Sequence, residues 1–183
     1  YVVSHDQGAL QWILHAYTQS SRYPYPAAAA DGINYMRNSA KVVVDAYHGT
    51  VTAYIADPSD PLIRTHDRIF PGVLRPLSEM PASLQPHLRY PEDLFRLQTQ
   101  LYETYHMDDS EEFYHREDQW QIPILQRGQS AQPMMRRIIM RLPEESSEEF
   151  IFMTPYTPRG KDNLAAWIVA RSDGEHYGSL VVY

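Results

Sequence analysis

Histidines and carboxylates close together are what a metal site needs. Two short clusters come nearest, His115-Arg116-Glu117-Asp118 and His66-Asp67. Neither has the HExxH spacing that places two imidazoles on one helical face, so no metal is assigned. Asp57, Ser59 and Asp60 gather hard oxygen ligands as a calcium loop does, but Pro58 and Pro61 make the segment a turn leading into a helix cap. Gly160-Lys161 lacks the earlier glycine and the following Ser/Thr of a P-loop. Neither GxSxG nor SxxK occurs, and the absence of cysteine removes thiolate catalysis. The paired acids Glu92-Asp93, Asp108-Asp109, Glu111-Glu112 and Glu144-Glu145 fall at helix starts and in connections, where they offset the helix dipole and keep the surface solvated. No catalytic residue and no cofactor are assigned.

The segment Pro158-Arg159-Gly160-Lys161-Asp162-Asn163 is the candidate binding loop. Arg159 offers a planar fork, Lys161 a mobile ammonium, and Gly160 lets the backbone approach a ligand closely. This set suits a phosphate, a carboxylate or an acidic partner surface. Asp162 is equally able to neutralise the two cations, which would leave an exposed turn. Among fourteen tyrosines, Tyr23, Tyr25 and Tyr90 each neighbour a proline. They either line a groove for an extended peptide or polysaccharide, or pack loops onto the sheet with their hydroxyls outward.

The elements that must position these groups follow from pattern. Residues 11–17 form a strand that ends in Thr18-Gln19-Ser20-Ser21, and Ala27 to Gly32 forms a loop. Residues 41–47 and 50–56 are β-branched and aromatic-rich, and His48-Gly49 between them predicts a hairpin with a two-residue primed turn. Asp60-Pro61 opens a helix with Leu62, Ile63, His66, Ile69 and Phe70 on one face, ending at Pro71-Gly72. Five prolines at 71, 76, 81, 86 and 91 break the next stretch into short turns. The main helix covers 91–106, with a stripe of Leu94, Leu97, Gln98, Leu101, Tyr102 and Tyr105. Asp109 caps a short helix around Phe113-Tyr114. Residues 126–133 have linker composition. Strands follow at 134–142, 149–154, 165–171 and 179–183, the last two joined through Asp173-Gly174. The fold class is therefore α+β: an antiparallel sheet of about six or seven strands with the central helix packed on it, in a single soluble domain over 1–183.

Composition sets outer limits. The chain has 183 residues, 43% hydrophobic, with no apolar run near the ~18–20 residues of a membrane span. Sixteen Lys+Arg against twenty-three Asp+Glu give a net charge of −7, which excludes a basic nucleic-acid module and opposes attraction to anionic lipid. Disulfides and zinc–thiolate sites are excluded by the lack of cysteine. The chain opens on Tyr1-Val2-Val3 and is expected to be a piece of something longer.

Five segments taken together carry a resemblance: Asn34-Tyr35-Met36-Arg37-Asn38-Ser39, Tyr47-His48-Gly49-Thr50-Val51, His87-Leu88-Arg89-Tyr90-Pro91-Glu92-Asp93-Leu94-Phe95, Thr157-Pro158-Arg159-Gly160-Lys161-Asp162-Asn163 and Asp173-Gly174-Glu175-His176-Tyr177-Gly178. The chain resembles an uncharacterised family of large, multi-pass bacterial membrane proteins. The resemblance implies several membrane helices in the N-terminal part of the parent protein, followed by a long soluble region outside the cytoplasm, to which this chain belongs. It assigns no activity and no functional residue. One departure is His15, where the resemblance leads to an aspartate. The expected role is a non-catalytic interaction or ligand-binding domain, partnered by the rest of the parent membrane protein and by an envelope protein or polymer. The alternative is a hydrolase acting on an envelope polymer.

Overall fold

The computed structural model describes residues 1–5, 8–29, 32–127, 130–143 and 145–183. The chain divides into two compact units, Tyr1–Leu94 and Phe95–Tyr183, and the division falls in the first turn of the longest helix. The α+β class holds in each. The strands are shared between two five-stranded sheets and a two-stranded ribbon rather than gathered in one sheet.

In the first unit β1 (Val2–His5), β2 (Ala9–Ser20), β3 (Tyr35–Asp45) and β4 (Val51–Ile55) pair in sequence order, all antiparallel. β2 runs through the polar residues 18–20 that were expected to end it, because β3 supplies partners as far as Tyr35. The link between β3 and β4 is longer than the expected two residues. The Asp45 carboxylate accepts from the Tyr47 and His48 amides at 2.7 and 2.8 Å, and Gly49 alone takes positive φ, at 69°. A primed turn needs the residue before Gly49 there too, so it is not formed. Helix α1 (Pro61–Ile69) starts as expected, with Asp60 accepting from the Leu62 and Ile63 amides. Only Ile63 of its apolar residues is buried, and Ile69 and Phe70 are exposed. The proline-punctuated stretch contributes β5 (Leu74–Pro76), which joins β4 in the one parallel pairing among the described strands.

Helix α2 (Glu92–Tyr105) has the expected limits but a different buried face. Leu101 and Tyr105 are exposed, while Phe95 and Thr99 are buried. The helix turns this way because β10 (Glu148–Pro158) meets it in kind. The Phe95 and Phe152 rings lie 4.4 Å apart, and the Tyr156 hydroxyl donates to the Thr99 carbonyl at 2.8 Å. Helix α3 (Ser110–His115) is capped by Asp109, as the pattern predicts. The expected linker is instead a ribbon in which β7 (Ile124–Arg127) pairs with β8 (Ser130–Pro133), following the short β6 (Trp120–Gln121). β10 is the spine of the second sheet. One edge holds β11 (Ala166–Arg171), which carries β12 (Leu180–Val182); the other is shared by β9 (Arg136–Arg141) and β6. Leu142, Ile151 and Val169 form a buried cluster on one face, with Met140, Met153, Trp167 and Tyr183 packed around them, while Phe152, Tyr156 and Ile168 are buried in the other phase. Parts of three sequence expectations, at Ala30-Asp31, Gly128-Gln129 and Glu144, lie outside the described residues.

Candidate functional site

The candidate loop joins β10 to β11. Its centre turns through Gly160 at φ 74° and is closed by the Lys161 amide donating to the Pro158 carbonyl. Arg159, Lys161 and Asp162 are all exposed. Arg159 donates to the Gln119 side-chain oxygen at 3.1 Å, and its amide donates to the Gln119 carbonyl at 2.8 Å. Asp162 forms no ion pair with either cation among the described residues. It instead borders an open groove of about 470 Å³, beside Ile124, Met134, Pro155 and Leu164. The loop is thus held at one end through Arg159 and Gln119, while Asp162 borders the groove.

Three internal polar clusters account for much of the remaining chemistry-bearing residues. Asp60 is fully buried and accepts five hydrogen bonds: from the Thr18, Ser39 and Tyr35 hydroxyls, each at 2.5 Å, and from the Leu62 and Ile63 amides. Burial alone would raise its pKa, but the hydroxyl donors outweigh burial and hold the carboxyl well below its usual range. The register shift between β2 and β3 at Ala16/Thr18 accompanies the approach of Thr18 to Ser39, at 2.9 Å. In the neighbouring turn the cation is Arg37. It reaches Asp57 at 2.9 Å and Ser59 at 3.2 Å, where a calcium reading would have required a metal.

Lys41 is fully buried on β3, and its ammonium lies 2.8 Å from Nδ1 of His15 on β2. Burial lowers its pKa to about 7. His15, where the resemblance led to an expected aspartate, therefore stands against a buried lysine. In the second unit Arg171 is buried against Glu149, donating through both Nε and Nη2, with Nη1 reaching Glu145 at 2.7 Å. Hydrogen bonding to Glu149 holds the guanidinium charged. All three clusters consume their own polar groups, which suits architecture. Among the described residues no group of three or more His, Asp or Glu is placed to hold a metal. His66 and His115 lie in the last turns of their helices. Tyr23, Tyr25 and Tyr90 do not share a groove: Tyr23 stacks on Tyr35 at 4.7 Å, Tyr25 is fully exposed and Tyr90 is buried.

The feature that sequence reasoning missed is a face of the first sheet. Directly paired residues share a face. Val2, Trp12, Val44 and Val51 therefore form one row across four strands. Leu14, Val42, Ala53 and Leu74 form the next. Leu10 flanks Trp12 two residues along. Neither row contains a polar side chain, yet Trp12 is 48% exposed, Leu14 46% and Val51 62%. The opposite phase carries the buried Ile13, Val43, Lys41 and Tyr54, which are this unit's interior. The run Lys41-Val42-Val43-Val44 held the signal: a strand apolar in both phases belongs to a sheet with two faces to cover.

Comparison with known proteins places the chain. The uncharacterised protein family UPF0182 matches residues 1–183. A UPF0182 protein of Microcystis aeruginosa is 51% identical over 188 residues, covering 100% of this chain and 20% of the relative. The UPF0182 protein alr1037 of a Nostoc species is 53% identical over 175 residues, covering 95% of this chain and 18% of the relative. The UPF0182 protein GSU2333 of Geobacter sulfurreducens is 50% identical over 184 residues, covering 100% and 20%. The chain thus spans about a fifth of the length of these relatives. No solved structure matches it. With a match over its whole length, the chain belongs to the uncharacterised protein family UPF0182.

Proposed function

We propose that residues 1–183 are a non-catalytic interaction domain within the extracytoplasmic part of a larger integral membrane protein. The observation that carries the interaction reading is the apolar face of the first sheet, with Trp12 at its centre and no charge in either row. Contiguous exposed apolar surface is costly to leave in water, and on a folded protein it marks a contact site. The extracytoplasmic setting rests on the family resemblance. Among the described residues no helix is long and apolar enough to cross a membrane.

Substituting Trp12→Glu and Leu14→Glu in the parent protein tests the reading. Both side chains are half-exposed, so the melting midpoint of residues 1–183 should hold within a few degrees, while the parent protein loses assembly or stability in detergent. A parent protein indifferent to both charges would remove the interaction face. A phosphatase reporter fused after residue 183 tests the setting, since it is active only outside the cytoplasm.

A further inference from the structure

We infer that the apolar face of the first sheet is covered by another part of the same polypeptide, an uncharged apolar element lying outside residues 1–183. The inference rests on the interaction reading above and names its partner. Three observations select this occupant. Relatives about half identical to this chain are some five times longer than the stretch it matches, so most of such a polypeptide is other structure tethered to this domain. Tethering converts docking into an intramolecular event with an effective concentration in the mM range for a short flexible link, so a partner in the same chain outcompetes a free one. The net charge of −7 opposes a second copy approaching the same face, because two like-charged domains repel at close range. The two rows contain no lysine or arginine to engage an anionic headgroup, which leaves an apolar protein surface as the matching chemistry.

The geometry also bounds the shape of the occupant. The rows cross four strands, a width of roughly 14 Å at ~4.8 Å per strand spacing. A single α-helix of ~10 Å diameter laid along the face covers most of that width, with Trp12 as the central anchor. A helix layer over an otherwise open sheet is also the usual completion of an α+β architecture.

A photo-crosslinking side chain tests this in the intact parent protein in its membrane: Trp12→benzoylphenylalanine, with Val51→benzoylphenylalanine as a second variant should the first fail to fold, and the exposed Tyr114 on α3 as background. The expected result is a crosslinked product that keeps the monomer mass, with position 12 or 51 joined to a peptide outside residues 1–183 at several times the background yield. A link to a second copy, to another protein, to lipid or to a peptide within residues 1–183 overturns the inference and leaves the interaction reading standing, except that a link within 1–183 overturns both. No link above background overturns both.

Discussion

Asp60 gathers five donors around one buried carboxylate, so its charge is built into the first unit. Asp60→Asn keeps one acceptor oxygen and adds two donors where donors already crowd, and should cost about 2 kcal/mol or more by thermal melting. Its pKa is depressed below the ordinary 3.8, so the folded state favours the ionised form. The stabilisation is present above pH 3.8 and is lost as pH falls through the lower folded value, so the wild-type midpoint should fall steeply below about pH 4 and the variant's less so. Lys41 has the opposite sign. Its folded pKa of about 7 lies below the ordinary 10.5, so between these values the unfolded chain binds the extra proton. Stability should rise as pH increases from about 7 toward 10. Lys41→Met should flatten that rise. His15→Asp should flatten it too, because a carboxylate beside the ammonium favours the charged form. The loop charges are different in kind. Arg159→Ala with Lys161→Ala should leave the melting midpoint nearly unchanged, since exposed charges add little, and a double variant that unfolds would give the loop a structural role.

At the scale of elements, local chemistry was legible where it acts alone. Asp60-Pro61 and Asp109 announced their helices because a cap needs only its own two or three following amides. The hairpin was visible in its strands but not in its turn, because the Asp45 side chain, which no spacing rule weighs, holds two loop amides and lengthens the link. Gly49→Val should still cost about 1 kcal/mol through its left-handed backbone. A Cβ at Gly49 meets nothing within 4 Å, so the cost is conformational alone and Gly49→Asn should be milder; equal melting midpoints for all three would refute this. What sequence could not give was orientation. α2 buries Phe95 and Thr99 rather than its leucine stripe because Phe152 and Tyr156, more than fifty residues away, decide which face is wanted. The pairing of β7 with β8 escaped for a different reason: its partner is local, but three glutamines with glycine, serine and proline in residues 124–133 read as linker and carry no β-branched or aromatic signal beyond Ile124.

For the whole molecule, the candidate site moved from charges to hydrophobic surface. The loop holding Arg159, Lys161 and Asp162 was legible because glycine and charge stand out in a sequence. The sheet face was not, because Leu10, Trp12 and Leu14 look like core residues until strand pairing aligns them with Val44, Val42 and Val51 on an uncovered side. That alignment is long-range information carried by register, not by any single segment. The chain spans about a fifth of the length of its relatives, and the proposal that the remaining length covers this face is the one to test. Hydroxyl-radical footprinting of the intact parent protein reads the face most directly. Trp12, Leu14 and Val51 should be oxidised several-fold less than in residues 1–183 alone, with Tyr114 as the exposed reference in both. Equal oxidation of these three side chains in the two samples would contradict a covered interaction face.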